Sequence, residues 1–370
     1  MDGFRPHSEA ELAQLLSAPG PAFELRAGGT KRGVGRPVRA PLLDLSALRG
    51  IVDYQPGELV LTARPATPLA EIETLLEAQQ QRLGFEPPDA AVLGSAGQQT
   101  LGGVLMANSS GSRRVTAGAA RDHFLGLRAV NGRGEPFGGG GRVVKNVTGF
   151  DLPKALAGSW GTLAALTEVT VRVVPAAETE STLLFDAASV DAAVNLCSRA
   201  LGSMFEVSCA AFLPDRGVAV RLEGLRSSVQ SRSTGLLAAL GRSAQAVLQA
   251  KDSWQLWRRI AGAEALTGCR VIWRLAVPPR QAARILDDIA PDVFQLDWGG
   301  GLIWLGSAQL DAQRVRGALR GGHATLIRAT EAERSANAVF EPQAPAIAAL
   351  AARFKAAFDP DDRLNPGRMS

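Results

Sequence analysis

Gly94-Ser95-Ala96-Gly97-Gln98-Gln99-Thr100-Leu101-Gly102-Gly103 is the stretch on which the reading of this chain turns. A glycine-bounded turn runs into a short apolar helix that Thr100 can cap, and Gly102 and Gly103 stand inside that helix without side chains. Glycine in a helix interior costs roughly 0.5–1 kcal/mol relative to alanine, so two in succession imply a close approach, by a ligand or by a packed strand. Glycines clustered where a helix begins also let backbone N–H groups reach a phosphate, whose charge the helix terminus favours. Comparable elements follow at Asn108-Ser109-Ser110-Gly111 and at Gly158-Ser159-Trp160-Gly161-Thr162-Leu163, so the glycine-rich character runs from Pro87 to Pro175. A ligand served over that length is extended, with the shape of a dinucleotide rather than a single phosphate.

A further loop, Ala27-Gly28-Gly29-Thr30-Lys31, lies upstream after the strand-like Phe23-Glu24-Leu25-Arg26. It lacks the GxxxxGK[ST] spacing of a P-loop, and Gly33-Val34-Gly35 meets Arg36-Pro37 instead of a helix, which excludes the Walker and Rossmann arrangements. By itself it reads as a tight turn. Its weight comes from the second glycine segment downstream.

Composition narrows the classes. With 370 residues, 46% hydrophobic and 21% charged, the chain is an ordinary globular one of two or three domains. A net charge of +4 without a basic tract argues against nucleic acid. Cys197, Cys209 and Cys269 are scattered and contain no CxxC pair, which fits small buried thiols in a reducing compartment better than a disulfide, zinc or iron–sulfur framework. His7, His123 and His323 are the only histidines, too few and too separated for an imidazole-rich metal centre, so no metal is expected. The amino-terminal residues lack the pattern of a secretory signal, and no run reaches the roughly 18 apolar residues of a membrane helix. A cytoplasmic location is expected, with membrane association only through partner subunits.

Ser8 and Glu11 read as a capping box ahead of Leu12, Leu15 and Leu16, and Thr67-Pro68 as a helix start with Thr67 as cap. Asn131-Gly132 marks a hairpin. After Ser181 the order changes. Strand 182–185, helix 190–201, strands 205–212 and 217–222, helix 227–240 and strand 244–248 form one β-α-β-β-α-β unit. Strand 270–277, helix 280–289, strands 293–298 and 302–306, helix 310–320 and strand 324–328 form a second. A helix over 346–358 and a proline-punctuated tail complete the chain.

The motif order resembles the vanillyl-alcohol-oxidase / p-cresol-methylhydroxylase (PCMH) type of FAD-binding domain: the Ala27–Lys31 loop, Gly94–Gly103, Asn108-Ser109-Ser110-Gly111, Gly118-Ala119-Ala120-Arg121-Asp122 and Gly158-Ser159-Trp160-Gly161-Thr162-Leu163. Lys145-Asn146-Val147-Thr148-Gly149-Phe150-Asp151 and the ending Asp359-Pro360-Asp361-Asp362-Arg363-Leu364-Asn365-Pro366-Gly367-Arg368 narrow the likeness to the FAD-binding subunits of bacterial glycolate oxidases (glycolate dehydrogenases).

That resemblance implies an α+β flavoprotein. Residues 1–175 would form a two-part PCMH-type FAD-binding domain, and 176–345 a cap whose antiparallel sheet, in ferredoxin-like repeats, is covered by helices. Residues 346–370 would return to the FAD domain. It implies that Ala27, Gly28, Gly29, Thr30 and Lys31, with Gly94, Ser95, Thr100, Gly102 and Gly103, hold the FAD pyrophosphate through backbone groups. Asn108, Gly111 and Gly118 would line the flavin side, supported by Arg121 and Asp122. Thr162, Glu168 and Val169 would lie by the adenosine half, and Asn146 and Asn365 by the isoalloxazine edge. Oxidation of glycolate or another small 2-hydroxy acid to the 2-oxo acid is implied, with electrons passing to an acceptor other than NAD. The implied partners are a related FAD-containing subunit and an iron–sulfur subunit.

Two departures qualify the likeness. Relatives that bond flavin covalently use a histidine in the first loop, often with a later cysteine; here Thr30 stands in that loop and the later segment has no cysteine, so the FAD is expected to be non-covalent. Relatives that oxidise D-2-hydroxy acids carry clustered histidines beside the flavin, and this chain has none, which points to the related subunit as the main substrate site and to this chain as an auxiliary flavin carrier. A self-sufficient 2-hydroxy-acid dehydrogenase is the rival reading. It needs a base and a cation for the substrate carboxylate. The candidates are His323, Arg274, which shares a strand face with Ile272 and Ala276, and Arg328. The bland alternatives are a strand-edge histidine and an arginine paired with a protein carboxylate.

Overall fold

The computed structural model describes residues 4–88, 91–93, 97–142 and 149–369; Gly94, Ser95 and Asn146 lie outside them. The first helix, α1 (Glu9–Ser17), starts where expected: Ser8 Oγ accepts the Glu11 N–H at 3.2 Å. Glu11 reaches back one residue further than a capping box requires, to the N–H of His7. Leu12 and Leu16 pack onto a small parallel pair, β1 (Glu24–Arg26) and β2 (Leu42–Asp44).

A six-stranded antiparallel sheet follows, from β3 (Ile51–Gln55), β4 (Val60–Ala63), β5 (Gln81–Leu83), β6 (Phe124–Asn131), β7 (Pro136–Gly140) and β8 (Ala164–Pro175). The order is β3-β4-β8-β6-β7, with β5 also paired to the twelve-residue β8. Helix α2 (Leu69–Glu77) buries Leu69, Ile72 and Leu76 beside this sheet, together with α3 (Leu101–Met106). Thr67 does not cap α2. Its hydroxyl donates to the carbonyls of Arg64 and Gly50 and accepts the Gly50 N–H, which ties the preceding turn together and leaves Pro68 at the helix start. Three short helices, α4 (Arg114–Ala117), α5 (Ala120–His123) and α6 (Leu152–Leu156), complete this half.

The second half is one eight-stranded antiparallel sheet built from two β-α-β-β-α-β units. The first comprises β9 (Thr179–Phe185), α7 (Val190–Leu201), β10 (Cys209–Leu213), β11 (Gly217–Gly224), α8 (Arg226–Leu240) and β12 (Ala246–Gln249). After α9 (Ala250–Ala261) the second comprises β13 (Val271–Ala276), α10 (Ala282–Ile289), β14 (Val293–Asp297), β15 (Leu302–Ser307), α11 (Ala312–Gly317) and β16 (His323–Arg328). The strand order β12-β9-β11-β10-β14-β15-β13-β16 is two ferredoxin-like sheets joined edge to edge by their second strands, with Phe212 opposite Leu296.

Strand alternation divides this sheet. Val271, Trp273 and Leu275 face the core under α7, α8, α10 and α11, whereas Ile272, Arg274 and Ala276 face the other way. Helix α9, absent from the sequence reading, covers part of that second face. Ser253, Leu256, Trp257 and Ile260 recur at helical spacing, and the Trp257 indole donates to Thr182 at 2.8 Å. The rest of the face meets the six-stranded half.

The chain then forms α12 (Glu331–Ala336) and α13 (Pro345–Phe358). Beyond α13, Leu364 bridges to Phe23, and the Asp359 carboxylate accepts the N–H groups of Arg363 and Leu364, so the tail lies against β1. Among the described residues no helix is long and apolar enough to cross a membrane.

Two clusters join the halves. Arg221, 2% exposed, lies 2.7 Å from Glu86 and 3.8 Å from both Glu180 and Glu223, and Glu223 also receives Arg82 at 2.7 Å and Arg113 at 3.2 Å. Nearby, Ser112 Oγ donates to buried Asp297 at 2.6 Å and the Trp298 indole N–H to the Gly111 carbonyl at 3.0 Å. Burial pushes the Asp297 carboxyl up to about 6, against the hydrogen bonds from Ser112 and the Trp298 N–H. A folded-state value above the unfolded one stabilises the protein fully at pH below about 4 and loses that contribution as pH rises through about 6. Asp297→Asn, whose amide satisfies both partners, is therefore expected to flatten this part of the urea-midpoint profile, the wild type gaining on the variant as pH falls.

Candidate functional site

The loop after β1, the start of α3, the residues leading into β8 and the carboxyl-terminal tail enclose a cleft of about 770 Å³, its solvent-open mouth included. Ala27 through Lys31 form one wall, and Thr100, Gly102, Gly103, Met106, Trp160, Gly161, Asn365 and Arg368 are among the rest. A second cavity of about 810 Å³ continues it beneath the large sheet, bounded by Asn108, Ser109, Ser110, Arg274, Trp304 and Thr325. Lys31, Ala107 and Trp160 belong to both. The two cavities meet at these three residues, so together they form one elongated cleft.

The first cleft depends on two loops in close contact. A Cβ on Gly28 would stand 1.7 Å from the Gln98 carbonyl oxygen, and one on Gly97 1.9 Å from that of Gly28. These glycines bring the loops together. The amides of Gly28, Gly29, Thr30 and Lys31 take no acceptor among the described residues and line the cleft. Arg368, buried and with its pKa lowered to about 10 by burial, anchors this wall by donating to the carbonyls of Lys31 at 2.7 Å and Val34 at 3.1 Å. Four unpaired loop amides beside Lys31 and Arg368 suit the diphosphate of a dinucleotide.

The start of α3 plays a different part from the expected one. The Leu101, Gly102 and Gly103 amides donate to the Thr67 carbonyl, the Pro65 carbonyl and Thr100 Oγ1, so none is free for an anion. The close approach at Gly102 is to Pro65, 2.5 Å from the missing Cβ, while Gly103 leaves bare backbone along the wall. Thr100 is a cap and a lining residue.

The other expected positions separate. Asn108, in the left-handed region at φ 47°, lines the second cavity and accepts the Arg121 N–H. Gly111 packs against the Glu86 carbonyl, and Asp122 accepts the Ala119 N–H below Gly118. Gly111, Gly118, Arg121 and Asp122 thus shape the wall without lining either cavity. Thr162 donates to the Ser159 carbonyl, Glu168 sits opposite Arg128, and Val169 is buried in the sheet core; the cleft takes Ala164, Ala165 and Leu166 from that strand instead. Asn365 lines the cleft as a clasp, accepting the Leu25 N–H and donating to the carbonyls of Trp160 and Gly161.

Of the three catalytic candidates Arg274 lines one of these two cavities and His323 and Arg328 line neither. His323 is exposed at the start of β16, an edge strand, opposite Ala276. Arg328 donates to the Thr267 and Cys269 carbonyls and staples that loop. Arg274 fronts the second cavity with its guanidinium 5.0 Å from the Trp298 ring and 5.9 Å from that of Trp304. Arg114 stacks on the same Trp298 at 4.8 Å. Burial, with Arg114 close by, brings the Arg274 pKa down to about 10. Among the described residues no carboxylate is within ion-pairing distance of Arg274, because nearby Asp297 is held by Ser112 and the Trp298 N–H. The arrangement is a cation facing an apolar-walled cavity, suited to an anionic group on a small ligand.

Residues outside the sequence reading also line the site. Arg368 stood in the quoted Asn-Pro-Gly-Arg ending without an assigned role. Trp160, at φ 54°, places its ring at the junction between Arg368 and Phe340.

Comparison with known proteins agrees with the geometry. Residues 4–137 match the FAD binding domain family. The chain is 32% identical over 371 residues to the Escherichia coli glycolate oxidase subunit GlcE, covering 98% of this chain and 97% of that protein. It is 34% identical over 148 residues to the Bacillus subtilis glycolate oxidase subunit GlcD, 40% of this chain and 30% of that protein. Among solved structures, a xylooligosaccharide oxidase from Myceliophthora thermophila superposes with a TM-score of 0.68 at 14% identity, over 99% of this chain and 90% of that one. An alkyldihydroxyacetonephosphate synthase gives 0.67 at 15%, over 98% and 76%.

The fold and cleft are those of an FAD-dependent oxidoreductase of the PCMH type. Within that class the chain belongs to the family of the glycolate oxidase subunit GlcE.

Proposed function

We propose that this chain is the FAD-binding subunit of a complex that oxidises glycolate, or a similarly small 2-hydroxy acid, to the 2-oxo acid and delivers the electrons to an acceptor other than NAD. The end-to-end similarity to a glycolate oxidase subunit carries this reading. Ala27 to Lys31 would hold the cofactor diphosphate through their amides, with Arg368 bracing that loop. Bound there, FAD supplies two-electron oxidation chemistry. Arg274 would take the substrate carboxylate if this chain carries a substrate site of its own. A related FAD-containing subunit and an iron–sulfur subunit would complete the complex, and the partial similarity to GlcD supports a relationship between its flavin subunits.

Arg274, which has no carboxylate partner among the described residues, favours a second reading beside the auxiliary role: this chain has a substrate site of its own. Co-purified complex should reduce an artificial dye when given glycolate, and its failure to do so removes the proposal. Arg274→Gln should raise the KM for glycolate by about 30-fold or more, as for loss of a buried charge partner, with FAD content unchanged. Acid precipitation of the purified protein should leave the yellow colour in the supernatant; colour retained in the pellet would mean a covalent bond.

A further inference from the structure

Between the diphosphate cleft and the cavity under Arg274 stands one lysine. Lys31 Nζ donates to Gln99 Oε1 at 3.0 Å, and Gln99 Nε2 donates to the Pro88 carbonyl at 2.7 Å, which turns the amide oxygen toward the lysine. An ammonium has three donors and this contact uses one. The charged groups around Lys31 are Arg274 in the wall of the same cavity, Arg368 on the lysine's own carbonyl, Arg32 at the next position, paired with Glu24, and, with FAD bound on the Ala27 to Lys31 amides, the cofactor diphosphate, whose charge would raise the lysine pKa. Among the described residues no carboxylate lies within ion-pairing distance of Nζ. Burial lowers the Lys31 pKa to about 8, which brings the neutral amine within reach at mildly alkaline pH. The other polar side chains of the described cavity wall are Gln99, Asn108, Ser109, Ser110 and Thr325, none of which takes up a proton in that range, while Arg274 stays charged.

We propose that Lys31 is the proton acceptor for the hydroxyl of a small 2-hydroxy acid whose carboxylate rests on Arg274. The proposal depends on the substrate reading above. The neutral amine would take the hydroxyl proton and become an ammonium; the carbon–oxygen double bond would form as the C–H bond breaks, its hydrogen and electron pair going to FAD, which would serve as the two-electron acceptor. Lys31 then returns its proton to solvent. Because only the neutral amine accepts, the rate rises with pH through the lysine pKa.

The decisive measurement follows glycolate reduction of the FAD bound to this chain by its visible absorbance, per bound FAD and across pH. The wild type should show a rate rising to a plateau with a single inflection at or above pH 8, the value burial alone gives Lys31. Lys31→Gln should be slower by about 100-fold or more, the usual contribution of a general base, and should lose that inflection. Lys31→Cys alkylated with 2-bromoethylamine should regain rate with its inflection at lower pH, identically treated wild type being the control. A readout independent of turnover is acetylation of Lys31 by acetic anhydride in the FAD-loaded protein, which saturating oxalate should slow. The proposal is overturned by an inflection that survives in Lys31→Gln, by acetylation indifferent to oxalate, or by a flavin that glycolate does not reduce although the complex still reduces dye. That last outcome leaves the complex reading intact, whereas a complex unable to reduce dye with glycolate removes that reading and leaves oxalate shielding to decide the place of Lys31.

Discussion

Arg221→Met is expected to cost about 3–5 kcal/mol of folding stability, the range for removing one member of a buried ionic cluster. The guanidinium is 2% exposed and stands among Glu86, Glu180 and Glu223. Methionine fills a similar volume but leaves Glu86 and Glu223 with Arg82 and Arg113 alone and takes from Glu180 its cation. Burial works against ionisation of Glu223, yet Arg221, Arg82 and Arg113 hold its carboxyl down at about 2. With a folded-state value below the unfolded one, Glu223 stabilises the wild type above about pH 4.5 and loses that contribution as pH falls toward 2. In the variant that carboxyl should rise, so the deficit should be largest near neutrality and shrink on acidification. Urea unfolding at pH 6 and near pH 3, inside the range where Glu223 titrates, checks both size and direction; equal deficits would count against the electrostatic account. Because the cluster spans β5, the residues before α4 and β11, the variant should also loosen the large sheet over the cleft.

The second large effect is expected at the paired loops. Gly97→Ala places a methyl 1.9 Å from the Gly28 carbonyl oxygen, and the backbone at φ 130° is itself unfavourable for an L side chain. Overpacking of this kind costs about 1–3 kcal/mol, and strained backbone a comparable amount, about 1–3 kcal/mol. Relief requires the loops to part, which moves the Gly28 to Lys31 amides. The purified variant should be largely colourless, with a lower melting temperature that added FAD restores only in part. Gly57→Ala, where nothing lies within 4 Å of the new carbon, is the control and should keep its flavin. Full flavin content in Gly97→Ala would show that the loop contact does not set the cofactor site.

How much of this was legible depended on whether the determinant was local. The two β-α-β-β-α-β units were readable because alternation and helical spacing record which face of each element is buried, so Arg274 could be placed on the Ile272 and Ala276 face before any fold was known. Helix α9 carried an equally clear signal at Ser253, Leu256, Trp257 and Ile260, and was missed although nothing tertiary hid it. Thr67 looked like a cap because capping is a local rule, but the Gly50 turn, distant in sequence, took its hydroxyl.

The glycine pattern by itself determined which loops make close approaches, since the absence of a Cβ is a property of the chain. Only the tertiary structure decided what each glycine approaches: Gly102 meets Pro65, and Gly28 meets the loop at Gln98. It also decided which cations are free. A sequence records that Arg274, Arg328 and Lys31 are charged, but not that Arg328 is bound to carbonyls while the other two front a shared cavity. Partners for a charge are chosen by folding, because electrostatic and hydrogen-bond energies depend on distance in space and not on separation along the chain.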